Sequence, residues 1–382
     1  MRISEKGIMK ERVMKMKKAI VVLMCIILYL TVGYAVAEEN APLLSDERMQ
    51  TIASIQKLSD YDDGLNLYSM EVFYDYNIDN MTPTGELTDQ GMVELLLNEA
   101  LPGMPVQIEA PNFGCTAFTL KAEDGKVYMG RNYDFKYDTS AMMCYCHPKD
   151  GYRSVCFSAL SNLGMNDPFE SETTTAAMLV APLIPLDGMN EMGLAIAVLT
   201  LPSEPTRQNS GKPVLTTPVL IRLVLDRCAT TQEAVDMIAQ YDYMATSGRD
   251  YHYYITDASG DGRVVEWDCE KVDRPMVVTP LRTITNYFAK YEDNVISGQQ
   301  NGMYGQGKER RDKVEAVIET AGSETGKDTA WEAVQAASTA PNPESIISNT
   351  QWSIVYNITD LTHEFTLHRH WEDRFAFDTL VK

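Results

Sequence analysis

Within FGCTAFTLKAEDGKVYMGRNYDF (113–135) a cysteine follows a glycine at the start of an apolar strand, and an arginine and an aspartate close the strand that returns. Taken alone, Cys115 reads as a small apolar filler, the usual role of a buried thiol. Its position allows more. If the Gly114–Cys115 bond is cut, Cys115 becomes an N-terminal residue. Its free α-amine, with a pKa of about 7.7–8.0, can then take up the thiol proton near neutral pH. Nucleophile and base are then one residue, which suits a chain whose five histidines (147, 252, 363, 368 and 370) stand in no catalytic signature. A guanidinium beside the sulfur would stabilise the thiolate, and a carboxylate would hold the amine. Arg131 and Asp134 are the candidates, because the hairpin returns them beside Cys115. Residues three apart point to opposite faces of a regular strand, so a bulge or strand end near Gly130 is predicted if both are to face the thiol.

The elements that must position these groups follow from the pattern. CTAFTLKA and VYMGRN read as two strands joined by a turn containing Asp124-Gly125. YRSVCFSAL (152–160), AMLVAPLIPL (177–186) and LAIAVLTL (194–201) read as further strands, the last two flanking a turn at DGMNEMG. VLIRLVLDRCA (219–229) is helical, and TTQEAVDMIAQY (230–241) opens with the capping-box spacing Thr230 to Glu233. Strands DYHYYITD and RVVEWD, a strand-turn at LRTITNYF (281–288), helices ERRDKVEAVIET and TAWEAVQAAS, and strands TQWSIVYNI and EFTLHRHW complete the chain. Sheets packed against helices are expected.

Residues 38–114 read as a separate pro-segment: a helix at 46–58, an aromatic strand at 67–78, a helix at 87–101 capped by Thr88, and a proline-bearing linker ending at Gly114. Before it, Lys10, Arg12, Lys15, Lys17 and Lys18 precede an apolar run and the small-x-small site Ala35-Val36-Ala37. This reads as a cleaved signal peptide over 1–37, with an uncleaved anchor at 19–37 the alternative, so the protein is expected to be secreted or to sit on the outer face of the envelope. The net charge of -21 repels phosphate backbones and makes nucleic acid an unsuitable partner. Apart from Cys25 in the leader, the cysteines are Cys115, Cys144, Cys146, Cys156, Cys228 and Cys269, irregularly spaced, and few or no disulfides are expected.

Two patterns are decoys. HEFTLH (363–368) is one residue too long for H-E-x-x-H and alternates like a strand. His368 and His370 share a strand face but have no third ligand nearby, so no metal is expected. Cys144, Cys146 and His147 read as a surface loop. No cofactor is implied.

C-T-A-F followed by G-R-N-Y-D-F resembles the choloylglycine hydrolase family of N-terminal-nucleophile (Ntn) hydrolases. That group includes bile salt hydrolases, penicillin V acylases, acid ceramidase and N-acylethanolamine acid amidase. The cysteine-to-arginine and cysteine-to-aspartate spacings agree with the bile salt hydrolases. The likeness continues through DGMNEMGLAIAVLTLP (187–202) and the T-N of LRTITNYF, and TQWSIVYNI resembles the acid-amidase side. The resemblance implies an α+β fold, a four-layer αββα sandwich over 115–382, hydrolysing linear amide bonds of small N-acyl compounds. It implies Cys115 as nucleophile and N-terminal base, Arg131 tuning the thiol, Asp134 anchoring the amine and Asn286 donating to the oxyanion. Arg310 is the choice for a second arginine, with adjacent Arg311 the alternative. Thr200 stands where bile salt hydrolases have asparagine and penicillin V acylases tyrosine, so a hydroxyl donor of different reach is expected and bile salts are disfavoured. Gly114 and Cys115 form the expected self-processing site, and the pro-segment is either removed or retained as a second chain. An acyltransferase on the same scaffold and a non-catalytic exported binding protein are the rival readings, and homo-oligomerisation stays open.

Overall fold

The computed structural model describes residues 44–102, 113–341 and 349–379. The expected signal peptide and most of the linker before Gly114 lie outside the described residues. In chain order the elements are α1 (Asp46–Ala53), β1 (Gln56–Lys57), β2 (Leu67–Val72), α2 (Asp89–Ala100), β3 (Phe113–Lys121), β4 (Val127–Phe135), β5 (Ala141–Cys146), β6 (Ser154–Ala159), α3 (Glu172–Ala177), β7 (Asp187–Asn190) and β8 (Ala195–Leu201). There follow β9 (Val214–Thr216), α4 (Thr217–Arg227), α5 (Thr231–Ile238), β10 (Asp242–Met244), β11 (Asp250–Thr256), β12 (Gly262–Trp267), β13 (Met276–Pro280) and β14 (Thr283–Ile284). The chain closes with α6 (Lys308–Ala321), α7 (Lys327–Ala336), β15 (Asn349–Asn357), β16 (Thr362–Leu367) and β17 (Phe375–Asp378).

Two sheets carry the fold. A nine-stranded sheet runs β1-β2-β5-β6-β7-β8-β11-β12-β13, and a six-stranded sheet runs β14-β3-β4-β15-β16-β17. Pairing is antiparallel throughout both except between β2 and β5, which run parallel. β3 and β8 pack face to face, so each sheet has an inner and an outer side. On the outer side of the six-stranded sheet, α6 lies on β3 and β14, and α7 on β4 and β15. On the outer side of the other sheet, α4 covers β7 and β8, and α5 covers β11 and β12. The order helix, sheet, sheet, helix agrees with the expected αββα sandwich.

The alternation of β3 shows how the sequence builds these layers. Cys115 and Ala117 join the core between the sheets, whereas Phe118 and Leu120 join a second core with Val314, Ile318 and Trp331 of the covering helices. Burying a side chain such as Phe118 stabilises by about 1.5–3 kcal/mol, so both faces hold the strand in register. The β3–β4 hairpin pairs without a shift from Phe113↔Phe135 to Lys121↔Val127. Its turn needs Gly125 at φ +84°, a left-handed conformation that glycine adopts without strain, and Asp124 accepts from the Lys126 amide at 3.0 Å.

Residues 44–102 are built into the same body. β1 and β2 form one edge of the nine-stranded sheet. Tyr76 donates to Asp226 at 3.3 Å, and Tyr74 donates to the Leu179 carbonyl. Thr88 caps α2, as the sequence indicates.

Three expectations are corrected. AMLVAPLIPL is not a strand: α3 runs into a 3-10 helix at Met178–Leu183 containing Pro182. A fully buried apolar run does not distinguish strand from helix, and proline cannot donate to a ladder. Cys144 and Cys146 are not on a surface loop but on β5, buried within the nine-stranded sheet, with Cys144 opposite Cys156 of β6. His368 and His370 do not share a strand face, because β16 ends at Leu367 and the chain turns through positive φ at His368 and Arg369. No disulfide links the six described cysteines, and no helix among the described residues is long and apolar enough to cross a membrane.

Candidate active site

Cys115 is fully buried near the start of β3, beyond the stretch of that strand paired with β14 at Ala117 and Phe118. Three of its atoms are engaged. Its amide nitrogen donates to Asn286 Oδ1 at 2.6 Å, and its carbonyl oxygen accepts from Arg310 Nη1 at 2.8 Å. The Arg131 side chain and the Asp134 backbone both favour the ionised form of its thiol. Burial pushes the thiol pKa up, opposed chiefly by the Arg131 charge.

Arg131 reaches the sulfur because of the regular hairpin. Cys115 pairs with Tyr133 and Ala117 with Arg131, so Arg131, Tyr133 and Cys115 share the inner face. The expected bulge near Gly130 is absent. Gly130 instead lies against the ring of Phe118, where an added Cβ would come within 2.2 Å of Cζ. The guanidinium of Arg131 is fully buried and held from both ends. Nη1 donates to the Asn132 carbonyl at 2.7 Å and Nη2 to the Val198 carbonyl at 2.9 Å, while Nε faces Asp187 Oδ2 at 3.4 Å. Val198 accepts because β7 pairs with β8 only as far as Ala197, leaving the next carbonyls of that edge open. Burial opposes the Arg131 charge, but the thiol and Asp187 outweigh it and hold its pKa above the usual value.

Asp134 lies on the outer face with Thr116. Its carboxylate accepts from Arg310 Nη1 at 3.0 Å and from Thr350 Oγ1 at 2.6 Å. Burial raises its pKa, and Arg310 and Thr350 pull it back. In the intact chain this carboxylate therefore binds Arg310 and Thr350, and the Cys115 nitrogen is taken by Asn286. Arg310 ties the two faces together, donating also to Thr116 Oγ1 at 3.1 Å and Asn286 Oδ1 at 2.7 Å. It projects from the first turn of α6. Arg311, the alternative, points away and pairs with Glu292 at 3.5 Å and Asp312 at 3.2 Å.

Asn286 follows β14 and bridges the sheets, its Nδ2 donating to the Thr200 carbonyl at 3.0 Å. Thr200 thus joins the site through its backbone. Its hydroxyl is buried without a hydrogen-bond partner among the described residues. Alternation along β8 puts that hydroxyl on the face opposite Leu199, which pairs with His252. Gly114 pairs with Asp134 across the hairpin.

Sequence reasoning missed Asp187, which the DG of DGMNEMG disguised as a turn, and its donors Trp352 and Tyr356. It also missed Thr350. None has a local signal; β15 brings Thr350, Trp352 and Tyr356 in from more than 200 residues beyond Cys115. No histidine hydrogen-bonds to Cys115: His147 pairs with Glu71 at 3.2 Å, His252 faces Glu266 at 3.5 Å, and His370 stacks on Tyr61. Among the described residues no group of three or more His, Cys, Asp or Glu side chains is placed to hold a metal ion.

Residues 115–286 match the model of the family described as linear amide C-N hydrolases, choloylglycine hydrolase family. Among solved structures, penicillin V acylase from Agrobacterium tumefaciens is similar at 20% identity and TM-score 0.48, covering 69% of this chain and 86% of that one. A variant of the conjugated bile acid hydrolase from Clostridium perfringens is similar at 16% identity and TM-score 0.50, covering 69% of this chain and 92% of that one. No curated protein matches the sequence. The family match covers residues 115–286, under half of the chain, and supports a linear amide C–N hydrolase on an Ntn-type fold.

Proposed function

We propose that this protein is an exported cysteine amidohydrolase that hydrolyses the linear amide bond of small N-acyl compounds, N-acyl amides or N-acyl amino acids, after cleavage at Gly114–Cys115. The observation that carries the reading is the grip on the Cys115 backbone, amide on Asn286 and carbonyl on Arg310, with the Arg131 charge acting on the thiol. A packing cysteine has no need of two cations, one of them fully buried.

The intact chain lacks a base for the thiol, since an amide nitrogen does not take up a proton near neutral pH. Self-cleavage supplies one. Sγ attacks the Gly114 carbonyl carbon, the C–N bond breaks as the Cys115 nitrogen takes a proton, and water opens the thioester to a Gly114 carboxylate. The freed amine then accepts the thiol proton, and Arg131 stabilises the thiolate. Thiolate attack on a substrate amide expels the amine, which takes the proton back. Water then releases the acyl group as an acid. Asn286 and Arg310 already sit beside the Cys115 backbone, where a developing oxyanion needs donors. The pro-segment remains docked as a second chain, a reading supported by β2 lying between β1 and β5.

Substrate choice follows from Thr200. A hydroxyl that does not reach the site leaves it without the side-chain donor that bile salt hydrolases place there. Simple N-acyl amides are therefore expected to exceed taurine and glycine bile conjugates in kcat/KM. A panel of acyl amides run side by side tests this, with Cys115→Ala as the inactive control. Highest kcat/KM on bile conjugates would refute the substrate reading. Undiminished hydrolysis by Cys115→Ala would refute the mechanism. Faster acyl transfer to an added amine than to water would make the enzyme a transferase.

A further inference from the structure

Asp187 opens β7 and faces the inter-sheet core, opposite Phe157 on one side and Ala197 on the other. Its carboxylate is fully buried. Tyr356 donates to Oδ1 at 2.6 Å, and Oδ2 receives Trp352 Nε1 at 3.3 Å and Arg131 Nε at 3.4 Å. Three donors converge on it, which suits the ionised form, an acceptor only. Arg131 does not depend on Asp187 for its position, because the Asn132 and Val198 carbonyls already hold both ends of its guanidinium. What Asp187 adds is a charge.

We propose that Asp187 is a positioning residue that acts through Arg131 on the nucleophile: it is the counter-charge that keeps a buried guanidinium in the core and shares its attraction with the Cys115 thiol. The carboxylate thereby sets how much positive field remains for the thiolate, and Tyr356 and Trp352 fix the carboxylate. The proposal rests on the reading of Cys115 as nucleophile. The charged and titratable groups around the thiol are Arg131, Asp134 and Tyr133 from β4, with Arg310 reaching the Cys115 carbonyl from α6. Those around Asp187 are Arg131 and Tyr133 from β4 and Tyr356 from β15, beside the Trp352 N–H.

A structural role and a charge role predict opposite results. If Asp187 only held Arg131 in place, its loss would free the guanidinium and raise the thiol midpoint. If it shares the charge, its neutralisation leaves the thiolate as the nearest partner of Arg131, and the midpoint falls. The test is a pH titration of thiolate ultraviolet absorbance on the purified enzyme, for the parent, Asp187→Asn and Tyr356→Phe, each with its Cys115→Ala counterpart subtracted. Asp187→Asn is expected to lower the Cys115 midpoint by about one unit, the small end of the effect of a nearby charge. The acid limb of kcat/KM should move the same way. Tyr356→Phe keeps the carboxylate and removes a donor, so it should raise the midpoint. An unchanged or raised midpoint in Asp187→Asn overturns the proposal. If that variant does not fold, Tyr356→Phe decides: a midpoint above the parent supports the proposal, and one at or below it overturns it. Retained hydrolysis by Cys115→Ala would instead mean that the nucleophile reading has failed.

Discussion

Arg310 and Arg311 are neighbours in sequence and opposites in setting, so replacing each by methionine tests the site directly. Arg310 is 12% exposed and pairs at 3.0 Å with Asp134, which is 0% exposed. Removing it leaves a buried carboxylate without its cation and takes a donor from the Cys115 carbonyl and from Asn286. Breaking such a buried pair costs about 3–5 kcal/mol. Arg311 is 29% exposed, with partners at 3.5 and 3.2 Å near the surface. A pair of that kind contributes about 0–1 kcal/mol. The comparison belongs in a Cys115→Ala background, where processing cannot occur and one species is present. Urea unfolding at pH 7 should show a large drop in midpoint for Arg310→Met and almost none for Arg311→Met. The sign of the pH dependence follows. Without Arg310 the folded pKa of Asp134 rises further above its unfolded value, so the folded state holds an extra proton at mildly acid pH. The penalty is therefore present at pH 7 and shrinks as pH falls. Adding Asp134→Asn should recover part of the loss. Equal losses for the two arginines, or a loss that grows on acidification, would refute the reasoning.

Gly130→Ala should cost about 1–3 kcal/mol by overpacking against Phe118, and Phe118→Leu should relieve it; thermal unfolding in a double-mutant cycle measures both. His363 is buried between Phe157 and Phe377, and burial pulls its pKa down to about 3. The unfolded chain thus takes up a proton there between about pH 6.5 and 3 that the folded chain refuses, so stability falls as pH drops through that window. His363→Phe should flatten this acid limb by about 2 kcal/mol at pH 5, read from urea midpoints at pH 7 and pH 5.

How far the sequence reveals the site depends on how local each signal is. The Asp124-Gly125 turn sets the register of β3 against β4, and that register alone places Arg131 on the face of Cys115. The same logic wrongly demanded a bulge, because it required the Asp134 carboxylate to share the thiol's face. In the intact chain that carboxylate binds Arg310 on the other face. Asn286 and Arg310 were legible only by resemblance, since nothing in LRTITNYF or ERRDKVEAV shows that a loop and a helix end meet at β3. AMMCYC has no turn signals and no alternation, so β5 was invisible. Asp187 was hidden because a DG pair commonly marks a turn, and its role comes from a tyrosine and a tryptophan on β15.

The central claim is that Cys115 acts with its own α-amine after the chain cuts itself. Intact-mass analysis of purified precursor, incubated alone beside Cys115→Ala, tests it most directly. The account predicts that the parent yields a catalytic chain beginning at Cys115, that amide hydrolysis appears in step with this species, and that Cys115→Ala stays whole. Full hydrolytic activity from a chain whose Gly114–Cys115 bond remains intact would contradict it.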